Sequence, residues 1–194
     1  MLCLGITGGI GSGKSYVSRI FTALGIPIYE ADTQAKSLYE CNQKLKEGLI
    51  TLLGNSIFLD GVLQKEVMAS LIFADPNLLT QVNQCVHPAV IDDFSHWKKQ
   101  QEAPYVILES AIILETPFAS TVDKMLTVSA PMTVRLERLC HRDLASVEDA
   151  KRRIKRQWSD SMREAKSDFV VRSDGKTPLL PQVLEVHRCM CKYI

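Results

Sequence analysis

The chain has no long apolar run. Of its 194 residues, no stretch approaches the roughly 20 that cross a bilayer, so no membrane partner is expected. It also has no excess of either charge. Twenty-three Lys and Arg stand against twenty-two Asp and Glu, for a net +1. That balance argues against a basic nucleic-acid coat protein, hence no nucleic-acid partner, and against an acidic disordered chain. The six cysteines at 3, 41, 85, 140, 189 and 191 include no C-x-x-C pair and no zinc spacing. A chain of this size builds a core without disulfides, so they read as reduced core thiols. The N-terminus lacks the basic stretch and small-residue cleavage site of a signal peptide, and a cytoplasmic protein is expected. There is no internal repeat and no low-complexity segment. What is present, 46% hydrophobic and 23% charged residues, is the mix of one globular domain with room for an inserted lobe. A monomer or weak homo-oligomer is expected.

The near-neutral sum hides an asymmetry. Residues 1–134 carry net −4, residues 135–172 net +4, and the tail +1. The basic stretch is either a solvated helix face or a local counterpart to something anionic.

Apolar periodicity lays out the elements. Leu2–Thr7 reads as a buried parallel strand. A glycine-rich stretch follows, then a helix from Lys14 to Leu24 that ends at Gly25. Ile26–Tyr29 reads as a second strand. Residues 31–97 are mostly helical, with a turn through Asp60-Gly61 and a break at Asp75-Pro76, where Pro76 opens the next helix. Tyr105–Leu108 and Lys124–Val128 are a third and a fourth strand. A helix runs from Pro131 to about Asp143. Another starts at Ser146, with Glu148 expected to complete a capping box. Asp168–Val171 is a fifth strand, and a final helix runs from about Leu179 to Cys191. Alternating strands and helices predict an α/β domain with a parallel sheet.

Gly8-Gly9-Ile10-Gly11-Ser12-Gly13-Lys14-Ser15 fits G-x-x-x-x-G-K-[ST] between a predicted strand and a predicted helix. Glycines let the backbone approach a phosphate closely, and the N–H groups around 11–15 make an anion cradle at a helix N-terminus. Lys14 is long enough to reach the β- and γ-phosphates, and Ser15 offers a hydroxyl to Mg²⁺. The loop therefore predicts a nucleoside triphosphate. The strings D-x-x-G and N-K-x-D of a guanine-nucleotide switch are absent. The third strand ends in Glu109-Ser110, without the usual Walker-B aspartate. Both facts favour a small kinase over a switch or a motor.

With the loop placed, more of the chain resembles the bacterial dephospho-coenzyme A kinases. The opening Ile6-Thr7-Gly8-Gly9-Ile10-Gly11-Ser12-Gly13-Lys14-Ser15, the Glu30-Ala31-Asp32 block followed by Ala35-Lys36, Val86-His87-Pro88, Leu114-Glu115, the lid-like stretch Arg135–Asp143 and the segment Ala165–Gly175 carry the resemblance. It implies a three-layer P-loop kinase core (about 1–30, 104–134 and 168–194), an inserted helical substrate lobe (about 31–103) and a helical lid (about 135–167). It implies ATP-dependent phosphorylation of the ribose 3′-hydroxyl of dephospho-CoA, the last step of coenzyme A synthesis. The alternatives are another small-molecule or nucleoside kinase, or a non-enzymatic nucleotide switch.

The resemblance also assigns roles. Asp32 is implied as the catalytic carboxylate that takes the substrate hydroxyl's proton; read from the residues alone, it caps the next helix equally well. Arg135, Arg138 and Arg142 lie at i, i+3 and i+7 on one helix face. Arg138 is implied as the catalytic lid arginine beside Lys14, and Arg142 as a nucleotide contact; the other reading is a solvated basic face. Gly9 to Tyr16 form the nucleotide site, with Ser15 toward the metal. Lys36, His87 and Glu115 are implied on the substrate side. Read alone, Lys36 sits in water, His87 packs in a helix and Glu115 starts one. Glu109 is a further carboxylate placed to orient Mg²⁺ waters or substrate. Tyr16 stands where the family has threonine and Lys36 where it has arginine, which removes a hydroxyl contact and a bidentate fork.

Overall fold

A strand buried on both faces has no polar side, and Leu2–Thr7 folds as such a strand, β1, with five of its six residues buried. The computed structural model describes residues 1–144 and 146–193, without the side chains of Phe73 and Pro76. The chain divides into two compact units, Met1–Glu30 with Gln100–Ile194, and Ala31–Lys99.

The first unit is built on β1, β2 (Ile28–Glu30), β5 (Tyr105–Glu109), β6 (Lys124–Ser129) and β7 (Phe169–Arg172). All pair in parallel, in the order β2-β5-β1-β6-β7. From β1 the connections run first to one side of the sheet and later to the other. The carboxyl end of β1 is therefore a topological switch point, the place where open parallel sheets bind ligands. Alternate residues face opposite ways. Leu4, Ile6, Tyr105, Ile107, Leu126 and Val128 make one buried cluster with Val17 and Phe21 of α1 (Lys14–Ala23) and with Val183, Val186 and Met190 of α9 (Leu179–Lys192). On the other face, Cys3, Val106, Leu108 and Met125 are buried. Burying one such aliphatic side chain is worth about 1.5–3 kcal/mol, so these layers dominate the unit's stability.

Among the described residues, two short 3-10 helices (Ile113–Glu115 and Pro117–Thr121) precede β6 and the remaining α-helices of this unit follow it. These α-helices are α6 (Met132–Asp143), α7 (Val147–Lys155) and α8 (Asp160–Glu164). Ser146 caps α7, but Glu148 is not its partner. Glu148 is only the second helical residue, and the Ser146 hydroxyl accepts from the Asp149 N–H at 3.1 Å and donates to the Asp149 carboxylate at 2.8 Å.

The second unit is helical except for one hairpin. It contains α2 (Ala31–Cys41), α3 (Gln43–Leu53), α4 (Lys65–Ala74) and α5 (Pro76–Lys99). Asn42 separates α2 from α3 and accepts from the Leu45 N–H. The expected turn at Asp60-Gly61 is there, with φ of 49° and 82° at its two residues. Two-residue strands flank it, β3 (Phe58–Leu59) and β4 (Val62–Leu63), in an antiparallel pair that the sequence reading missed. Two positive φ angles in a two-residue loop match the twist of a hairpin, but strands this short leave almost no periodic signal. No described helix is long and apolar enough to cross a membrane.

Candidate active site

The loop predicted to hold phosphate runs from the end of β1 into α1. Gly13 sits at the helix N-terminus with φ 94° and ψ 18°, a left-handed conformation that excludes most side chains. A Cβ there would also lie 2.7 Å from the Ser173 hydroxyl. The Ser12 N–H bonds back to the Gly9 carbonyl at 3.0 Å, closing the turn. The side-chain oxygens of Thr7 and Ser12 are buried without a hydrogen-bond partner. Buried polar atoms of this kind are expensive unless something fills their demand, and an oxygen-rich ligand with its bound water would.

Two arginines of α6 hold the loop. Arg135 Nε donates to the Ile10 carbonyl at 2.9 Å. Arg138 Nη1 donates to the carbonyls of Gly11 at 3.2 Å and Ser12 at 3.0 Å, and to Ser173 Oγ at 3.2 Å. In a trans peptide the C=O and N–H point opposite ways. Three successive carbonyls turned toward α6 therefore turn the N–H groups of Gly11, Ser12 and Gly13 away from it. Arg135 is 4% exposed, so the solvated-face reading fails for this residue. Burial lowers its pKa, opposed by the Asp160 charge and assisted by that of Arg163.

Lys14 points to the end of β5. Its ammonium meets Glu109 Oε1 at 2.8 Å, and Ser18 donates to Oε2 at 3.0 Å. Glu109 is 8% exposed. This carboxylate occupies the strand end where the missing aspartate was noted, and its direct neighbour is the loop lysine.

The structure thus gathers Gly9 to Ser15, Glu109 and Arg138 in one place. Tyr16 is adjacent and exposed. Arg142 is not brought in. It forks Asp143 at 2.6 and 3.0 Å, and Arg153 joins the same carboxylate at 2.5 Å. The two arginines hold the Asp143 carboxyl well below its usual range.

Behind the loop lies a set of polar and charged groups, of which sequence reading singled out only Glu115. Gln157 Oε1 accepts from the Ile10 N–H at 2.8 Å. Asp160 accepts from Arg135 at 3.1 Å. Arg163 is 0% exposed and donates to the Trp158 carbonyl, to Asp160 and to Glu115 Oε1. Glu115, expected toward substrate, spends Oε1 on Arg163 and on the Trp158 N–H, while its Oε2 is buried without a hydrogen-bond partner. One arginine among eleven basic residues in 135–172 has no distinguishing pattern in sequence. Arg163→Met is expected to destabilise the protein by about 3 kcal/mol in urea unfolding, because it strands the partly buried Glu115 carboxylate, while Asp160 keeps Arg135. A change below about 0.5 kcal/mol, the range of ordinary surface substitutions, contradicts that.

The other predicted residues lie in the second unit. Asp32 is the second residue of α2, inside the first helical turn, so it is not the helix cap considered above. Asp32 and Lys36 are both exposed and lie at i and i+4, on one face, with Tyr39 at i+7. Burial, and then the Asp32 charge, raise the Tyr39 pKa. His87 lies within α5, where partial burial lowers its pKa and favours the neutral ring. This unit holds its own cavity of about 490 Å³, between Leu38, Asn42, Leu45, Gln84, Pro88 and His96 among others.

Chemically, the loop offers N–H groups and one lysine to an anion with several oxygens, with Arg138 beside it and Arg135 buried as its support. Among the described residues no three His, Cys, Asp or Glu side chains converge on a metal site. A divalent cation would therefore share ligands with phosphate and water, as Mg²⁺ commonly does, with the Ser15 hydroxyl as the loop's contribution.

Comparison with known proteins gives one answer. The dephospho-CoA kinase (CoaE) family model matches residues 2–178. The chain is 40% identical to a dephospho-CoA kinase of Bacteroides fragilis over 94% of this chain and 90% of that one. It is 38% identical to that of Porphyromonas gingivalis over 96% and 93%. The crystal structure of TT1252 from Thermus thermophilus superposes with a TM-score of 0.87 at 28% identity, covering 97% of this chain and 96% of the other. A family match that spans the phosphate loop, the helical insertion and the arginine helix leaves one assignment, and the chain belongs to the dephospho-CoA kinase family.

Proposed function

We propose that this protein transfers the γ-phosphoryl group of ATP to the ribose 3′-hydroxyl of dephospho-CoA, completing coenzyme A. The observation that carries the reading is the loop Gly8–Ser15, fastened by Arg135 and Arg138, in a chain whose family match covers residues 2–178.

The chemistry is a direct in-line transfer. The loop N–H groups and Lys14 bind the phosphates, and Glu109 fixes where the lysine stands before nucleotide arrives. Arg138 puts a cation beside the loop, where charge shifts during transfer. Asp32 accepts the proton of the 3′-hydroxyl as its oxygen bonds to the γ-phosphorus and ADP departs. Mg²⁺, held through Ser15 and phosphate oxygens, supplies charge neutralisation when bound. Lys36 and His87 serve the substrate side, Glu115 does so only by releasing Arg163 and the Trp158 N–H, and Arg142 reaches the nucleotide only by leaving Asp143. The cavity of the helical unit combines apolar walls and the amides of Asn42 and Gln84, which suit the amide-linked arm of dephospho-CoA, with the charged Lys44, Asp92 and Asp93. Of the six cysteines only Cys3 is buried, so the expectation of core thiols holds for that residue alone.

The test is an ADP-release assay with ATP and a panel of acceptors: dephospho-CoA, adenosine, other nucleosides and shikimate. Turnover with dephospho-CoA, and 3′-phosphorylated product by mass spectrometry, is the expected result. Turnover only with another alcohol moves the protein to a different small-molecule kinase. Slow hydrolysis with no acceptor phosphorylated returns the nucleotide-switch reading.

A further inference from the structure

One groove of the first unit starts at the phosphate loop and continues beyond it. It encloses about 940 Å³ between α1 and the segment Ser173–Leu180, near the upper end of small-ligand sites, about 300–1,000 Å³. Gly13, Tyr16, Ile20 and Ala23 line it. They recur at three and four residues, so they form one stripe along α1. The stripe begins at the loop and becomes apolar away from it, where Leu179 and Leu180 also line the groove. Arg19, Arg138 and Lys176 line it too and supply positive charge. Such a wall fits a ligand that is anionic at one end and flat and apolar at the other.

Tyr16 stands at the junction. It is 61% exposed, one helical turn from Gly13, about 4.5 Å along the axis. A single exposed aromatic needs no explanation by itself. This one lies on the ligand side of the loop, at the point where a nucleotide bound by its phosphates must place its sugar and base. A threonine hydroxyl at this position ends close to the backbone, whereas a phenol ring extends past it.

We propose that Tyr16 is the platform on which the nucleobase of the bound triphosphate stacks, and that it sets this enzyme's preference for purine over pyrimidine nucleoside triphosphates. The proposal rests on the reading of the loop as a nucleoside triphosphate site. Its physical basis is the large shared face of a purine and a phenol ring, which needs no hydrogen bond and tolerates either purine.

The test compares binding of ATP, CTP and inorganic tripolyphosphate to the full-length protein by calorimetry, for the wild type, Tyr16→Phe, Tyr16→Ala and Tyr16→Thr. Tripolyphosphate reports the loop without a base. Tyr16→Phe is expected to keep ATP affinity, while Tyr16→Ala and Tyr16→Thr weaken ATP about tenfold, the scale of one lost base–aromatic stack. Tripolyphosphate affinity stays level across the series, and the ATP-to-CTP ratio shrinks in the alanine and threonine variants. Unchanged ATP affinity in Tyr16→Ala overturns the proposal. So does recovery in Tyr16→Thr with loss in Tyr16→Phe, which assigns the contact to the hydroxyl. Equal weakening of tripolyphosphate also overturns it, because the effect is then on the loop and not on the base. Failure is distinguishable from failure of the nucleotide reading itself, in which the wild type binds neither ATP nor tripolyphosphate and both ideas fall.

Discussion

Asp32→Asn is expected to lower kcat with ATP and dephospho-CoA by about a thousandfold, within the range of about 10²–10⁴ attributed to one positioned general base. The substitution keeps the shape and removes the basicity. Asp32 is exposed in the first turn of α2, so its structural contribution is small. A carboxylate near a helix N-terminus is worth about 0.3–1 kcal/mol to the helix. Urea unfolding of the variant is therefore expected to stay within about 1 kcal/mol of wild type. ATP affinity, which depends on the loop and on Lys14, is expected to hold. That combination, chemistry lost with folding and nucleotide binding retained, separates a base from a structural aspartate. An unchanged kcat removes Asp32 from the mechanism and directs attention to Glu109 at the end of β5. Because Asp32 and Lys36 share one helix face, Lys36→Ala is the informative companion, and a fall confined to the KM for dephospho-CoA fits its placement on the substrate side.

Arg138→Ala is expected to lower kcat about a hundredfold, the scale of losing one preorganised electrostatic group, with a smaller rise in the KM for ATP. The reason is geometric as well as electrostatic. One nitrogen, Nη1, holds the Gly11 and Ser12 carbonyls and the Ser173 hydroxyl together. Truncation leaves two carbonyls without that donor and removes a cation from the loop, so both the cradle's shape and its field suffer. Arg138→Lys is expected to recover less than a tenth of the lost rate, since an ammonium is a point charge and not a rigid fork. An effect confined to ATP affinity contradicts a transition-state role.

The fold was largely legible because its strands are short apolar runs and its helices carry strong stripes. Leu2–Thr7 and Tyr105–Leu108 were recognisable as buried strands without reference to their partners. The strand order was not, since nothing local in β5 says that it inserts between β1 and β2. The β3–β4 pair escaped for the opposite reason, because two residues show no period. In the site, the loop and Lys14 were readable from one contiguous motif with a mechanism attached to each residue. Arg163, Asp160 and Gln157 were not, because their roles come from distant partners: Gln157 meets Ile10, 147 positions away. Spacing put Arg135 and Arg142 on one helix face, and the resemblance favoured Arg142 for the nucleotide. Burial against the loop and capture by Asp143 separated them, and both depend on tertiary neighbours.

The pairing of β1 also dictates an order of events during synthesis. Its neighbours on the two sides are β5, whose Tyr105 pairs with Leu2, and β6, whose Lys124 pairs with Leu4. Both strands are made about a hundred residues later, after the entire 31–99 unit. At about 5–20 residues per second on the ribosome, the nascent β1 waits several seconds with its apolar edges open, a task for chaperones. The helical unit, with its local contacts, is free to fold first. The phosphate loop is thus translated well before the strands that fix its shape. Nucleotide, which binds only the finished loop, then acts on the equilibrium as a ligand of the completed fold and draws late intermediates toward it.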